Sequence, residues 1–191
     1  MASFLIVYGT SEGQTEKVAG QIAETLAERG HATTTIDVGD GLGGHTVEDF
    51  DAVLVGSSIH VGKHQSAITE FVTGHHDALA AVPSGFFQVS LSSAVEDPEG
   101  QAEAAKYVED LIAETDFHPD RIGLFGGALR YSKYGFLKRL MLKRIAKDAT
   151  GDTDTSRDYE YTDWEEVEAF TDDFAAFVEG RVGATAPASE D

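Results

Sequence analysis

Residues 9–15 read Gly-Thr-Ser-Glu-Gly-Gln-Thr, gathering three hydroxyl side chains and a run of backbone N–H groups into one turn. Between a buried strand and a helix, such a turn aims its amides and the positive end of the helix dipole at one spot, which binds a phosphate. The turn has neither the Lys nor the spacing of a P-loop, so a phosphomonoester held by uncharged donors fits better than hydrolysis of a nucleoside triphosphate. The plainer alternative is that Gly, Ser and Thr turn the chain and cap the helix. Two further hydroxyl-rich stretches follow apolar runs, residues 56–62 (GSSIHVG) and 90–94 (SLSSA). His60 in the first is a candidate to hydrogen-bond a ligand or move a proton, or is a plain loop histidine. There is no Cys, which removes disulfides, thiolate metal ligands and a cysteine nucleophile together. Redox chemistry would need a borrowed cofactor, and no metal site is expected.

The elements that must position these loops are legible as alternating periods. Residues 3–8 (SFLIVY) form a continuous apolar, β-branched run, as in a strand buried on both faces of a parallel sheet. Residues 16–29 place Val18, Ala19, Ile22, Ala23 and Leu26 at helical spacing, and Gly30 supplies the stop. Strands are predicted at 32–38, 51–56, 85–91 and 121–125, and helices at 65–79, 100–115 and 163–179. Strand alternating with helix implies right-handed crossovers and an α/β doubly wound parallel sheet of five strands, with helices on both faces. Ligands of such sheets bind beyond the carboxyl ends of the strands, where all three hydroxyl-rich loops fall. A formal GxGxxG at Gly39, Gly41 and Gly44 is rejected as a dinucleotide site, because HTVEDFD follows it and not a long amphipathic helix.

The chain has 191 residues, enough for one α/β domain, taken here as residues 1–182 with an excursion at about 128–161 and a disordered acidic tail at 183–191. Its 34 acids against 14 bases give a net charge of −20, which disfavours nucleic acid as a partner and suggests a salt-rich cytoplasm that screens the self-repulsion. The N-terminus lacks the basic flank and length of a signal peptide or spanning helix, so a cytoplasmic protein is expected. Seven of the bases lie between Arg130 and Lys147 with no acid among them. There, residues 134–147 (YGFLKRLMLKRIAK) set Phe136, Leu137, Leu140, Met141 and Ile145 near one helical face, with Lys138, Arg139, Lys143 and Arg144 around it. A basic amphipathic helix of this kind lies on an anionic membrane, docks on its own acidic domain, or contacts an anionic substrate.

Beyond the opening loop and GSSIHVGKHQSAITEFV, the motifs PDR, GALRY, GDTDT and YTDW follow in that order. With these the chain resembles, up to about residue 178, the flavodoxin-like, menaquinone-dependent protoporphyrinogen IX dehydrogenase family. The resemblance implies strand order 2-1-3-4-5, FMN as cofactor, a porphyrinogen substrate oxidised in two-electron steps, a quinone acceptor, a place in haem synthesis and peripheral membrane contact through 134–147. It implies that Thr10, Ser11, Glu12, Gly13, Gln14 and Thr15 hold the FMN phosphate. It further implies that Ser57, Ser58, Ile59, His60 and Gly62, with Ser90, Leu91, Ser92 and Ser93, flank the flavin ring. Arg130 and Tyr131 follow a strand end, where a cation suits a propionate and an aromatic suits a planar ring. Lys138, Arg139, Lys143 and Arg144 become membrane or quinone contacts. Trp164 is expected to start the last helix, capped by Thr162 or Asp163. Two other readings stand beside this one, a flavodoxin-type electron carrier and an NAD(P)H:quinone reductase. The basic excursion argues against the first, and the lack of a convincing pyridine-nucleotide motif against the second. The sequence carries no expectation of oligomeric state.

Overall fold

The computed structural model describes residues 1–94, 97–129 and 157–185. The elements are β1 (Ser3–Gly9), α1 (Gln14–Glu28), β2 (Ala32–Asp37), β3 (Ala52–His60), β4 (Lys63–His64), α2 (Ser66–Gly74), α3 (His76–Ala81) and β5 (Ser84–Ser90). They continue with α4 (Pro98–Thr115), β6 (Arg121–Gly126), β7 (Ala128–Leu129), β8 (Tyr159–Glu160) and α5 (Trp164–Thr185). Because successive side chains on a strand point to opposite faces, the apolar run of β1 feeds two cores. Phe4, Ile6 and Tyr8 pack with Val18, Ile22 and Leu26 of α1 and with Val167, Phe174 and Val178 of α5. Leu5 and Val7 pack on the other face, with Ile68, Phe71 and Val72 of α2 and Val108 and Leu111 of α4.

The parallel strands run β2-β1-β3-β5-β6, which is 2-1-3-4-5 when only the five parallel strands are counted, as expected. Two short antiparallel pairs were not read from the sequence: β4 on β3, and β7 on β8. The helix predicted over 65–79 is two helices. His75 leaves helical geometry at φ −116° and ψ 20°, and its ring Nδ1 donates to the Phe71 carbonyl at 2.9 Å, closing α2 there. His75 and His76 are both half-buried, His75 against the Phe71 ring.

Gly41, Gly43 and Gly44 adopt left-handed φ between two 3-10 turns, Val38–Asp40 and Val47–Asp49, so no helix N-terminus stands over the GxGxxG. Asp163 caps α5, accepting from the N–H of Glu165 at 3.0 Å and of Glu166 at 3.3 Å. That helix runs to Thr185, into the stretch expected to be a disordered tail.

Candidate functional site

Register brings the three loops together. Gly9 pairs with Ser57, Ser58 with Val89, and Ser90 with Gly126, so β1, β3, β5 and β6 end along one carboxyl edge. Gly9 is required there: a Cβ would stand 2.8 Å from Ile68 Cγ1, so only Gly lets the end of β1 approach α2 this closely.

In the loop after β1, Gly13 takes a left-handed φ of 89° and its N–H donates to Thr10 Oγ1 at 2.9 Å, which folds the loop back over the start of α1. The first amides of a helix have no earlier carbonyl to bond. Thr15 is fully buried in that first turn, and its Oγ1 has no partner among the described residues. A buried hydroxyl without a partner costs about 1–3 kcal/mol, so its retention fits a group that arrives from outside the chain. Ser11 Oγ and Ser58 Oγ both accept from the side-chain amide of Gln65, at 2.6 and 2.8 Å. Among the described residues no acceptor takes the hydroxyl proton of Thr10, Ser11, Thr15 or Ser58. The described part of the site therefore offers donors to an anion and no cation: Lys17 is drawn off to Glu160 at 2.8 Å. A phosphate fits this set.

The other hydroxyls are spent within the fold. Ser57 is fully buried, donates to the Ser58 carbonyl at 3.2 Å and accepts the Gln65 N–H at 3.1 Å. Ser90 Oγ shares a hydrogen bond with Ser93 Oγ at 2.7 Å, and Ser92 donates to Glu103. Residues 57–60 are the last residues of β3 and not a free loop. Val61 and Gly62, both at positive φ, turn the strand back as a two-residue hairpin into β4. Ile59 is half-buried and His60 exposed, and the tip residue Val61 is 83% exposed in a backbone conformation that β-branched residues rarely take. His64 lies behind the hairpin. Burial pushes its imidazole below the ordinary histidine value, against the opposing bond from Nε2 to the Tyr107 carbonyl at 3.0 Å. It lines a cavity of 430 Å³ between α2, α4 and the hairpin that also carries Glu70, Asp110 and Glu114, a setting that repels phosphate.

A hydrogen-bonded strut links this edge to the stems of the excursion. Gln14, 5% exposed, donates through Nε2 to Thr162 Oγ1 at 2.8 Å, and Thr162 in turn donates to the Gly126 carbonyl at 2.7 Å. The Tyr161 N–H donates to the Gly127 carbonyl, and Gly127 donates to the Ser90 carbonyl, both at 2.9 Å. The stems of the excursion, β7 and β8, are thereby fastened at the carboxyl edge, where Leu129 packs with Leu91, Tyr159 and Tyr161. Arg130, Tyr131, Lys138, Arg139, Lys143 and Arg144 lie outside the described residues. Glu12 and Gly13 are half-buried in the first loop. Thr162, expected as a possible cap of the last helix, instead joins Gln14 to the Gly126 carbonyl, while Gln65 and Val61 were missed by sequence reasoning. The only signal was their position, Gln65 directly before a helix start and Val61 beside the Gly of a turn.

Among the described residues no cluster of His, Cys, Asp and Glu could hold a metal, and no helix is long and apolar enough to cross a membrane. The family model for the flavodoxin domain matches residues 5–156. A protoporphyrinogen IX dehydrogenase (quinone) of Leishmania major is 34% identical over 173 residues, covering 90% of this chain and 74% of the relative. The protein of the same name from Escherichia coli K12 is 34% identical over 177 residues, covering 90% and 93%. Among solved structures, a short-chain flavodoxin associated with a PDU bacterial microcompartment superposes with a TM-score of 0.56 at 14% identity, over 93% of this chain and 99% of that one. That last likeness shows the fold.

Proposed function

Because this chain belongs to the flavodoxin-domain family, and with its 34% identical relatives to the protoporphyrinogen IX dehydrogenases, we propose that it oxidises protoporphyrinogen IX to protoporphyrin IX with FMN as cofactor and a quinone as electron acceptor. The observation in the structure that supports FMN is the set of hydroxyls of Thr10, Ser11, Thr15 and Ser58, which have protons to give and no acceptor among the described residues.

In this reading the segment 10–15 holds the phosphate through backbone N–H groups and the hydroxyls of Thr10, Ser11 and Thr15, joined by Ser58 from β3. The backbone of 58–62 and of 90–93 flanks the ring, while Ser57 and Ser90 keep those backbones in place. Bound FMN supplies the acceptance of two electrons and a proton at each oxidation. The chain fixes the phosphate so that the reacting carbon of the substrate meets the ring in one orientation, and the hairpin tip at Val61 excludes water from one side. Gln14 is assigned here to the strut that carries Thr162, with its backbone N–H at the phosphate. Arg130 and Tyr131 are assigned to a propionate and to the macrocycle face.

The finer reading takes menaquinone as the acceptor, haem synthesis as the pathway, one domain over 1–182, a salt-rich cytoplasm, and peripheral contact with the inner face of the cell membrane through 134–147. The run of bases at Lys138, Arg139, Lys143 and Arg144 in an otherwise acidic chain supports the membrane contact. Anaerobic bleaching tests the activity. FMN-loaded protein at high salt should bleach with protoporphyrinogen IX and recover its colour on addition of a menaquinone analogue. Bleaching by NADH or NADPH alone would instead identify a nicotinamide-driven quinone reductase, and bleaching by none of them an electron carrier.

A further inference from the structure

We propose that Gln65 is a positioning residue that sets the direction of the phosphate-site hydroxyls. Its side-chain amide donates to Ser11 Oγ at 2.6 Å and to Ser58 Oγ at 2.8 Å, which leaves each serine's own proton for an incoming phosphate. The inference rests on the FMN reading above and adds the residue that makes the site prefer a phosphorylated flavin.

A primary amide carries two N–H protons, and a hydroxyl carries one proton and two lone pairs. A serine at the mouth of a site otherwise rotates freely and turns its proton to whatever acceptor is nearest. An N–H fixed on one of its lone pairs removes that freedom and faces the proton elsewhere. Gln65 does this to two serines from two separate strands' ends, Ser11 after β1 and Ser58 in β3. Its own placement is over-determined. The backbone N–H of Gln65 donates to the buried Ser57 Oγ at 3.1 Å, and its carbonyl accepts from the Ile68 and Thr69 N–H groups of α2. Its Cβ would lie 3.2 Å from a Cβ on Gly9, so the lack of a side chain at Gly9 is what lets it sit between the two loops. A carboxylate at position 65 would accept both hydroxyl protons and turn them away from the phosphate. A lysine could not place two fixed protons in one plane. Gln supplies the orientation without charge, in advance of binding, so less ordering remains to be done when the anion arrives.

Fluorescence quenching of FMN and of riboflavin by the apoprotein separates this role from mere packing. Gln65→Leu should raise the FMN Kd about tenfold, in line with hydrogen bonds to a charged group, and leave the riboflavin Kd within about twofold. Equal rises for both flavins, or no rise for FMN, would overturn the proposal. If Gln65→Leu does not fold, as its melting curve reports, Gln65→Asn keeps the amide on an arm too short to reach both serines and should lose the same selectivity. In a Ser11→Ala, Ser58→Ala background, Gln65→Leu should cost FMN nothing further. An added loss there would mean that Gln65 touches the phosphate itself, against a positioning role. Wild-type protein that quenches neither flavin would remove the FMN reading along with this one, whereas wild-type FMN binding with selectivity intact in Gln65→Leu removes this one alone.

Discussion

Thr15 separates ligand binding from folding more cleanly than any other residue of the site. Its hydroxyl is buried without a partner among the described residues, so Thr15→Val keeps the shape and removes a group whose unsatisfied burial costs about 1–3 kcal/mol. The apoprotein should melt no lower than wild type while its FMN affinity falls about tenfold, both read from one preparation by calorimetry and fluorescence quenching. A variant that melts lower yet binds FMN normally would contradict the assignment. His64 gives a pH test. Its folded value lies below the ordinary one, so the folded state takes up a proton less readily than the unfolded chain. The stability due to neutral His64 is therefore complete above about pH 6.5 and is lost as pH falls from there towards the depressed folded value. Between about pH 8 and pH 5.5 the urea midpoint of wild type should drop more than that of His64→Gln. Equal drops would show that burial of this ring does not set the acid response. At this scale the sequence displayed the hydroxyls but not their partners. That Ser57, Ser90 and Ser92 are spent internally while Thr15 is not depends on which side chains meet across strands, and no spacing encodes it.

The strands were legible because each is a run of apolar residues long enough to carry a period, whereas their order was implied by the family resemblance. The elements that escaped are those with no period to read. β4, β7 and β8 are two residues each and exist through turn geometry and pairing, and the break between α2 and α3 depends on a ring-to-carbonyl bond at His75. Close packing between elements was equally hidden. Gly56 on β3 reads as an ordinary strand-end glycine, yet a Cβ there would collide with the Phe87 ring on β5. Gly56→Ala should destabilise the fold by about 1–3 kcal/mol through overpacking, measured as a lower urea midpoint. An unchanged midpoint would mean that the ring swings aside freely and that the core beneath the site is looser than the fully buried Phe87 indicates.

The whole molecule carries a net charge of −20 with half of its bases in one short stretch, and two predictions belong to that asymmetry. Self-repulsion among exposed carboxylates is screened over about 10 Å at 0.1 M salt and over about 3 Å at 1 M, so the melting temperature should climb as salt is raised. A flat salt dependence would remove the argument for a salt-rich habitat. Replacing Lys138, Arg139, Lys143 and Arg144 by Glu should abolish binding to anionic lipid vesicles while FMN binding persists, and undiminished vesicle binding would end the membrane-contact proposal. Charge and composition alone motivate both predictions, whereas the anchoring of both stems at the carboxyl edge through Gln14 and Thr162 needed the fold. The measurement that bears most directly on the whole account is the appearance of protoporphyrin IX fluorescence from protoporphyrinogen IX, under anaerobic conditions, with FMN-loaded protein and a quinone. The account predicts porphyrin formation that requires both FMN and quinone and advances in step with quinone reduction. Protein that holds FMN but forms porphyrin no faster than the protein-free mixture would contradict it.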